Sequence, residues 1–67
     1  MMENVNIELN KSGSYVITAD DGYMLYDTAQ EPYIDEETGE EHIYYTKQIY
    51  CPKDVDFEKL TWVAIKE

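Results

Sequence analysis

Two side chains of this 67-residue sequence could serve as a nucleophile and its base, the single cysteine Cys51 and the single histidine His42. A nucleophilic thiolate needs a neighbouring base, and the base needs a third group that orients it. The sequence shows no orienting group and no helix N-terminus that would activate the thiol. Cys51 directly precedes Pro52, at the end of a run rich in aromatic and aliphatic residues. We therefore predict that the chain is not an enzyme and that Cys51 is a small packing residue.

The acidic residues suggest metal binding or paired-carboxylate catalysis as further chemistry. A calcium-binding loop of the EF-hand type needs glycine at its sixth position, and counting from Asp35 places Gly39 one position too early. A zinc site needs more ligands than one cysteine and one histidine. Paired carboxylates cleave glycosides only beside a substrate groove, which so short a chain can hardly build. No metal, other cofactor or catalytic residue is predicted.

Negative charge is concentrated in one stretch of the chain. Fifteen acids face five lysines and no arginine, which gives a net charge of −10. Nine of the acids lie between Asp20 and Glu41, where there is no basic residue. Such a field repels nucleic acids and anionic membranes and attracts cationic surfaces. We predict a partner-binding surface formed by acids and neighbouring tyrosines: Asp27, Glu31, Asp35, Glu36, Glu37, Glu40, Glu41, Tyr33 and Tyr44.

The residue pattern predicts strands rather than helices. Val5, Ile7 and Leu9 alternate with polar residues, as expected for a strand with one buried face. Residues 42–50 are predicted to form the longest strand, ended by Pro52. Stretches of β-branched and aromatic residues predict further strands at 14–19, 23–26, 33–35 and 61–65.

Together these elements predict a mainly β protein, a small antiparallel β-meander of four to six strands, because strands that are neighbours in sequence tend to pair. Residues 54–60 are predicted to add at most one short helical turn, capped by an aspartate. Residues 1–67 form a single domain. The acidic stretch, about 27–41, is predicted to be a hairpin insertion, with its tip at 35–40 and Gly39 in the left-handed conformation.

Three short segments stand out: the stretch from Ile17-Thr18 through Gly22 to Leu25, the strand before Pro52, and the final Trp62-Val-Ala-Ile. With these segments the chain resembles a group of short uncharacterised proteins of bacteriophages and prophages. The resemblance implies a phage setting and hence the cytoplasm of a bacterial host. Small acidic proteins that block host defence nucleases are a familiar type in that setting.

Two functional hypotheses follow from charge and resemblance. In the first, the chain is a small acidic interaction module, an inhibitor or DNA mimic that acts on a cationic host nuclease or defence protein. It would bind that protein surface and neither nucleic acid nor a membrane. The alternative is a homo-oligomeric accessory protein whose sheet edges pair with a second copy and whose acids only confer solubility.

Overall fold

The computed structural model describes residues 2–67, which form seven strands and no helix. All strand pairs are antiparallel, so the predicted mainly β fold is confirmed, with seven strands rather than four to six. The seventh strand arises because the single strand predicted over residues 42–50 is divided into two. The strands are β1 Val5–Leu9, β2 Tyr15–Ala19, β3 Tyr23–Asp27, β4 Tyr33–Ile34, β5 Glu41–His42, β6 Gln48–Cys51 and β7 Trp62–Lys66.

The first sheet has the order β1-β2-β6. Its β1–β2 hairpin turns at Asn10, whose side-chain Oδ1 accepts hydrogen bonds from the backbone N–H groups of Ser12 (3.0 Å) and Ser14 (2.9 Å). This is the asparagine turn chemistry that the sequence predicts, with Gly13 at a φ of 82°. On its other side β2 pairs with β6, from Tyr15 opposite Cys51 to Thr18 opposite Gln48.

The second sheet pairs β3 with β7, so the strand order departs from a simple meander. A single bridge joins the two sheets: Leu25 of β3 and Thr46 exchange two backbone hydrogen bonds of 2.7 and 2.9 Å. The next residue, Lys47, accepts a hydrogen bond from the N–H of Ala19 in β2 (2.9 Å). The chain thus crosses from one sheet to the other at residues 46–48.

This crossing corrects the prediction of one strand over residues 42–50. Only Glu41–His42 and Gln48–Cys51 are strands in that region, and residues 43–45 lie between them without strand pairing. A continuous strand keeps the same neighbour along each of its edges, and this region does not. Here the chain pairs first with β4, then with β3 at Thr46, and finally with β2.

The core lies between the inner faces of the two sheets. Ile17 from β2 and Leu25 from β3 are fully buried, and Ala19 and Cys51 complete the buried cluster. Val5, on β1, packs against this cluster as the strand pattern predicts. Ile7 and Leu9 of β1 remain 40% and 54% exposed, because β1 is an edge strand and extends beyond the cover that the second sheet provides.

Residues 52–61 connect β6 to β7 through turns rather than a helix. Asp56 Oδ1 accepts the N–H of Glu58 (3.0 Å), and the N–H of Lys59 donates to the Asp56 carbonyl (3.0 Å). A separate turn, closed by the Val55 N–H and the Pro52 carbonyl (3.0 Å), precedes this capped turn, and neither turn continues into a helix. Phe57 packs its ring edge-on against Tyr15, which itself packs against the core cluster, at a centroid distance of 5.2 Å.

Candidate functional site

Residues 28–45 form an arm that leaves the end of β3 and returns to the bridge at Thr46. Within it β4 and β5 pair, with Tyr33 opposite His42 and Ile34 opposite Glu41. No residue of the arm belongs to the core cluster, and only Gln30 and Asp35 are even half-buried. The molecule measures 44 × 24 × 21 Å. The arm is therefore an appendage whose side chains are available to a partner.

Hydrogen bonds to Thr61, the residue just before β7, fix the base of the arm. Thr28 donates both its N–H and its Oγ1 hydroxyl to the Thr61 carbonyl, at 3.0 and 2.8 Å. The Thr61 hydroxyl in turn donates to Asp27 Oδ1, which also accepts the N–H of Ala29 (2.9 Å). These two hydrogen bonds, that from Thr61 above all, lower the pKa of Asp27. Asp27, predicted as a binding residue, thus has its carboxylate engaged in holding the arm.

Next to this base, a glutamine side chain connects the outgoing and returning segments of the arm. Gln30 Nε2 donates to the Tyr44 carbonyl (3.1 Å), and the Tyr44 N–H donates to Gln30 Oε1 (3.0 Å). The side-chain amide of Gln30 thus makes the two hydrogen bonds to Tyr44 that a backbone residue would make in a strand pair. Below it the rings of Tyr45 and Tyr26 lie 5.8 Å apart. The Tyr44 backbone is therefore fixed while its side chain stays exposed.

The tip of the arm is the hairpin that the sequence predicts. Asp35 donates its N–H to the Glu40 carbonyl (2.9 Å), and the four residues between them form the loop. Gly39 has a φ of 73°, the left-handed conformation expected there. Asp35 Oδ1 accepts the N–H of Glu37 (2.8 Å), so this carboxylate stabilises the turn.

The glutamates of the arm are unlike its aspartate. Within residues 2–67 no hydrogen bond is made to their carboxylates, and Glu40 has only a 3.9 Å contact with His42 Nε2. All five are exposed: Glu31, Glu36, Glu37, Glu40 and Glu41. Glu36, Glu37 and Glu40 lie in the tip and Glu41 follows them in β5, whereas Glu31 precedes β4, so four of the five glutamates are at or next to the tip. The arm carries six acids and no lysine.

Exposed apolar surface accompanies this charge. The exposed fractions are 68% for Tyr33, 50% for Ile34 and 66% for Tyr44. Tyr33 lies beside His42, with ring centroids 6.3 Å apart. The structure thus brings eight of the nine predicted site residues onto one arm and places the ninth, Asp27, at its base.

A second apolar surface beside the arm was missed in the sequence. The outer face of the β3–β7 sheet carries Met24, Tyr26, Val63 and Ile65, and Tyr45 lies against it. A surface cavity of about 360 Å³ is lined by Met24, Tyr45, Ile65, Lys66 and Glu67. The sequence does contain a pattern that indicates this surface. Apolar residues follow one another without polar alternation in β3 and β7, as in strands that are covered on both faces.

The two side chains considered for catalysis lie in different environments. Cys51 is buried in the core, and this burial raises the pKa of its thiol. His42 lies on the exposed arm, where it contacts Tyr33 and Glu40. Across residues 2–67 no group of three or more His, Cys, Asp or Glu side chains is placed to hold a metal ion.

In the same range there is no helix with the length and apolar character needed to cross a membrane. Comparison with protein-family models, curated proteins and solved structures finds no match to this chain.

Proposed function

We propose that the chain is a protein-interaction module whose arm, residues 28–45, binds a cationic protein surface. The observation that carries this proposal is the combination on one appendage of five exposed glutamates with exposed tyrosine and isoleucine side chains. Tyrosine is enriched in interfaces and among the residues that dominate binding energy. The glutamates would attract the partner, and Tyr33, Ile34 and Tyr44 would supply the contact area.

Solubility alone is a weaker explanation of the arm. Surface acids keep a small protein soluble wherever they lie. They give no reason for an 18-residue excursion that adds nothing to the core and exposes Ile34 and two tyrosines. In a chain this short, each ordered residue costs roughly 1–2 kcal/mol of backbone conformational entropy. A segment that buries so little is better explained by a surface that a partner covers.

The chemistry of the arm favours a basic protein that carries its own apolar contact points. Nucleic acid is an unsuitable direct ligand, because the arm has six acids and no lysine. A cleft that normally holds nucleic acid, such as that of a host nuclease or defence protein, has the required charge. With four of the five glutamates at or next to the tip, recognition would depend on the local density of negative charge there.

A pull-down with matched variants tests the proposal. The arm variant changes Glu36, Glu37, Glu40 and Glu41 to lysine. The control makes the same change in net charge outside both the arm and β1, at four exposed acids: Asp21, Asp54, Glu58 and Glu67. Each protein is immobilised and exposed to bacterial lysate at low salt, and bound proteins are eluted with a salt gradient.

The wild type and the control should retain the same basic protein, and the arm variant should lose it. With that protein purified, the arm substitutions should slow association by about tenfold or more. Equal capture by the arm variant and the control would contradict the proposal. Replacing Tyr33 and Tyr44 with serine should instead speed dissociation, because these side chains contribute contact area rather than long-range attraction.

The alternative hypothesis, a homo-oligomer with merely solubilising acids, makes a different prediction for the arm. If its copies pair through the β4–β5 sheet, Tyr33 and Tyr44 lie inside the oligomer, and tyrosine fluorescence quenching by iodide should fall as protein concentration rises. The interaction module predicts quenching that does not depend on its own concentration. The exposed edge of β1 is the feature of the fold that favours self-association.

A further inference from the structure

β1 is an edge strand that lacks the usual protection against pairing. It borders the β1-β2-β6 sheet, and its sequence Val-Asn-Ile-Glu-Leu has no proline and no lysine, with Glu8 as its one charged residue. Edge strands in soluble proteins are commonly blocked by such residues. Two apolar side chains on the inner face of β1, Ile7 and Leu9, are also 40% and 54% exposed. Both the backbone and the side chains of this edge therefore lack cover in the monomer.

The hydrogen bonds that flank β1 show which backbone groups face outward. Asp20 donates its N–H to the Asn4 carbonyl (2.9 Å), and Asn10 donates its N–H to the Ser14 carbonyl (2.8 Å). Hydrogen-bonded pairs alternate along an antiparallel ladder, so the even-numbered residues of β1 bond to β2. The N–H and C=O groups of the odd-numbered residues then point away from the sheet. These residues are Val5, Ile7 and Leu9.

We propose that β1 pairs antiparallel with β1 of a second copy of this chain, about a twofold axis at Ile7. In this register Ile7 faces Ile7 of the second copy, and Val5 faces Leu9. All three pairs of odd-numbered residues can then exchange two backbone hydrogen bonds each, about six in all. The apolar side chains form one continuous row across the junction, and the two sheets become a single six-stranded sheet.

On the other face of β1, the side chains of the two copies are also complementary in this register. Asn6 faces Glu8 of the second copy at both symmetric positions. Asn6 Nδ2 already donates to Glu8 Oε1 within one strand (3.1 Å), so the same pair of groups can bond across the junction. Moving the axis to Glu8 would set two glutamates directly opposite each other, which is destabilising. Moving it to Asn6 would place Leu9 opposite Glu3. The strand is thus self-complementary in one register only.

Two further features favour a second copy at this edge. β7, an edge strand of the second sheet, lines a surface cavity of about 350 Å³ together with Met2, Glu3 and Asn4, so residues 2–4 lie beside part of its length and hinder an incoming strand there. Residues 1–19 have a net charge of only −1, whereas the arm has six acids and no lysine. Repulsion between two copies is therefore smaller at β1 than at the arm. This inference goes beyond the proposed function, which needs only one copy.

The expected dimer is weak and depends on concentration. At one hydrogen bond per roughly 100–200 Å², six bonds correspond to an interface of about 600–1,200 Å², the size of transient complexes. Sedimentation velocity between about 10 μM and about 1 mM should show a shift from the 7.9 kDa monomer towards twice that mass. Added salt should strengthen the dimer, because it screens two chains of net charge −10.

Substitutions at Asn6 test the register. Asn6→Lys places a lysine opposite Glu8 of the second copy twice and should lower the dimer dissociation constant at least fivefold. Asn6→Glu places like charges there and should raise it by a similar factor. Asp54→Asn and Lys53→Gln are the controls, because they alter the net charge by the same amounts at exposed turn residues distant in sequence from β1.

The pairing would be supported if Asn6→Lys lowers the dimer dissociation constant, Asn6→Glu raises it, and neither control changes it. A chain that stays monomeric to about 1 mM would overturn it. So would a dimer whose dissociation constant follows net charge alone, with the Asn6 variants and the controls changing it equally. Because Asn6 is exposed and its side chain bonds only to Glu8, all these variants should fold.

Discussion

Lys47 joins the two sheets in a way that can be measured. Its Nζ donates hydrogen bonds to the Asp20 carbonyl (2.7 Å) and the Tyr23 carbonyl (3.0 Å), and its own carbonyl accepts the N–H of Ala19. Tyr23 lies two residues before Leu25, so in the alternation of the ladder its carbonyl also points away from β7. The ammonium group therefore continues the row of bonds that the Leu25–Thr46 bridge begins. Lys47→Met keeps the length of the side chain and removes both bonds.

The loss can be estimated from these two contacts. A hydrogen bond to a charged group contributes about 1.5–3 kcal/mol net. Lys47 is exposed, so water replaces part of each bond, and we expect a total loss of about 2 kcal/mol for the pair. In a domain of this size about 1 kcal/mol lowers the midpoint of thermal unfolding by roughly 4–8 °C. Lys47→Met should therefore lower it by about 8–16 °C. A domain with a total stability of roughly 3–10 kcal/mol survives this loss.

Thermal and urea unfolding, followed by circular dichroism, measure the change. Lys53→Met is the control, because Lys53 is exposed and within residues 2–67 its side chain makes no hydrogen bond. Amide hydrogen exchange adds a local test: the N–H groups of Ala19 and Leu25 should exchange faster in Lys47→Met than in the control, since their acceptors are Lys47 and Thr46. Midpoints of the two variants within about 1 °C of each other would refute the role assigned to Lys47.

Two further predictions concern titratable groups. The lowered pKa of Asp27 contributes stability that is present above its ordinary value of 3.8 and is lost as the pH falls through the folded-state pKa. Between pH 5 and pH 3 the wild type should lose more stability than Asp27→Asn, as measured by urea unfolding at each pH. Cys51 is buried and its pKa is raised, so at pH 8 its reaction with a disulfide reagent should be at least 100-fold slower in the native protein than in urea. Native and unfolded rates that agree within a factor of a few would mean that Cys51 is accessible.

Local features of the fold could be predicted from the sequence, and long-range pairing could not. The alternation over Val5–Leu9, the asparagine turn at Asn10 and the hairpin tip at Gly39 all depend on residues within a few positions of each other. The pairing of β2 with β6 joins residues about 30 positions apart, and that of β3 with β7 about 40. Nothing in a strand's own pattern selects its neighbour, since many pairings would bury the same apolar face.

The candidate site, too, was predictable only in part from the sequence. The charge of the arm is evident from composition, but composition does not distinguish a free carboxylate from one that bonds to the backbone. In the structure Asp27, Asp35 and Asp56 each accept the N–H of the residue two positions later. The short side chain of aspartate favours this turn, and the longer glutamate reaches outward. The aspartates were therefore predictable as turn residues, whereas the carboxylates of the arm's glutamates accept no hydrogen bond within residues 2–67 and are exposed.

The two proposed surfaces can be tested independently because neither belongs to the core. Added salt should change the two affinities in opposite directions. It should weaken the binding of the glutamates to a cationic partner and strengthen the pairing of two acidic chains through β1. A dimer would also present two arms to one partner, so that binding of the second arm becomes intramolecular and the apparent affinity rises without any new contact. Asn6→Glu should then weaken capture of a multivalent basic partner while leaving the association of one arm with a monovalent partner unchanged. An arm that acts alone would bind both kinds of partner equally well in the two proteins.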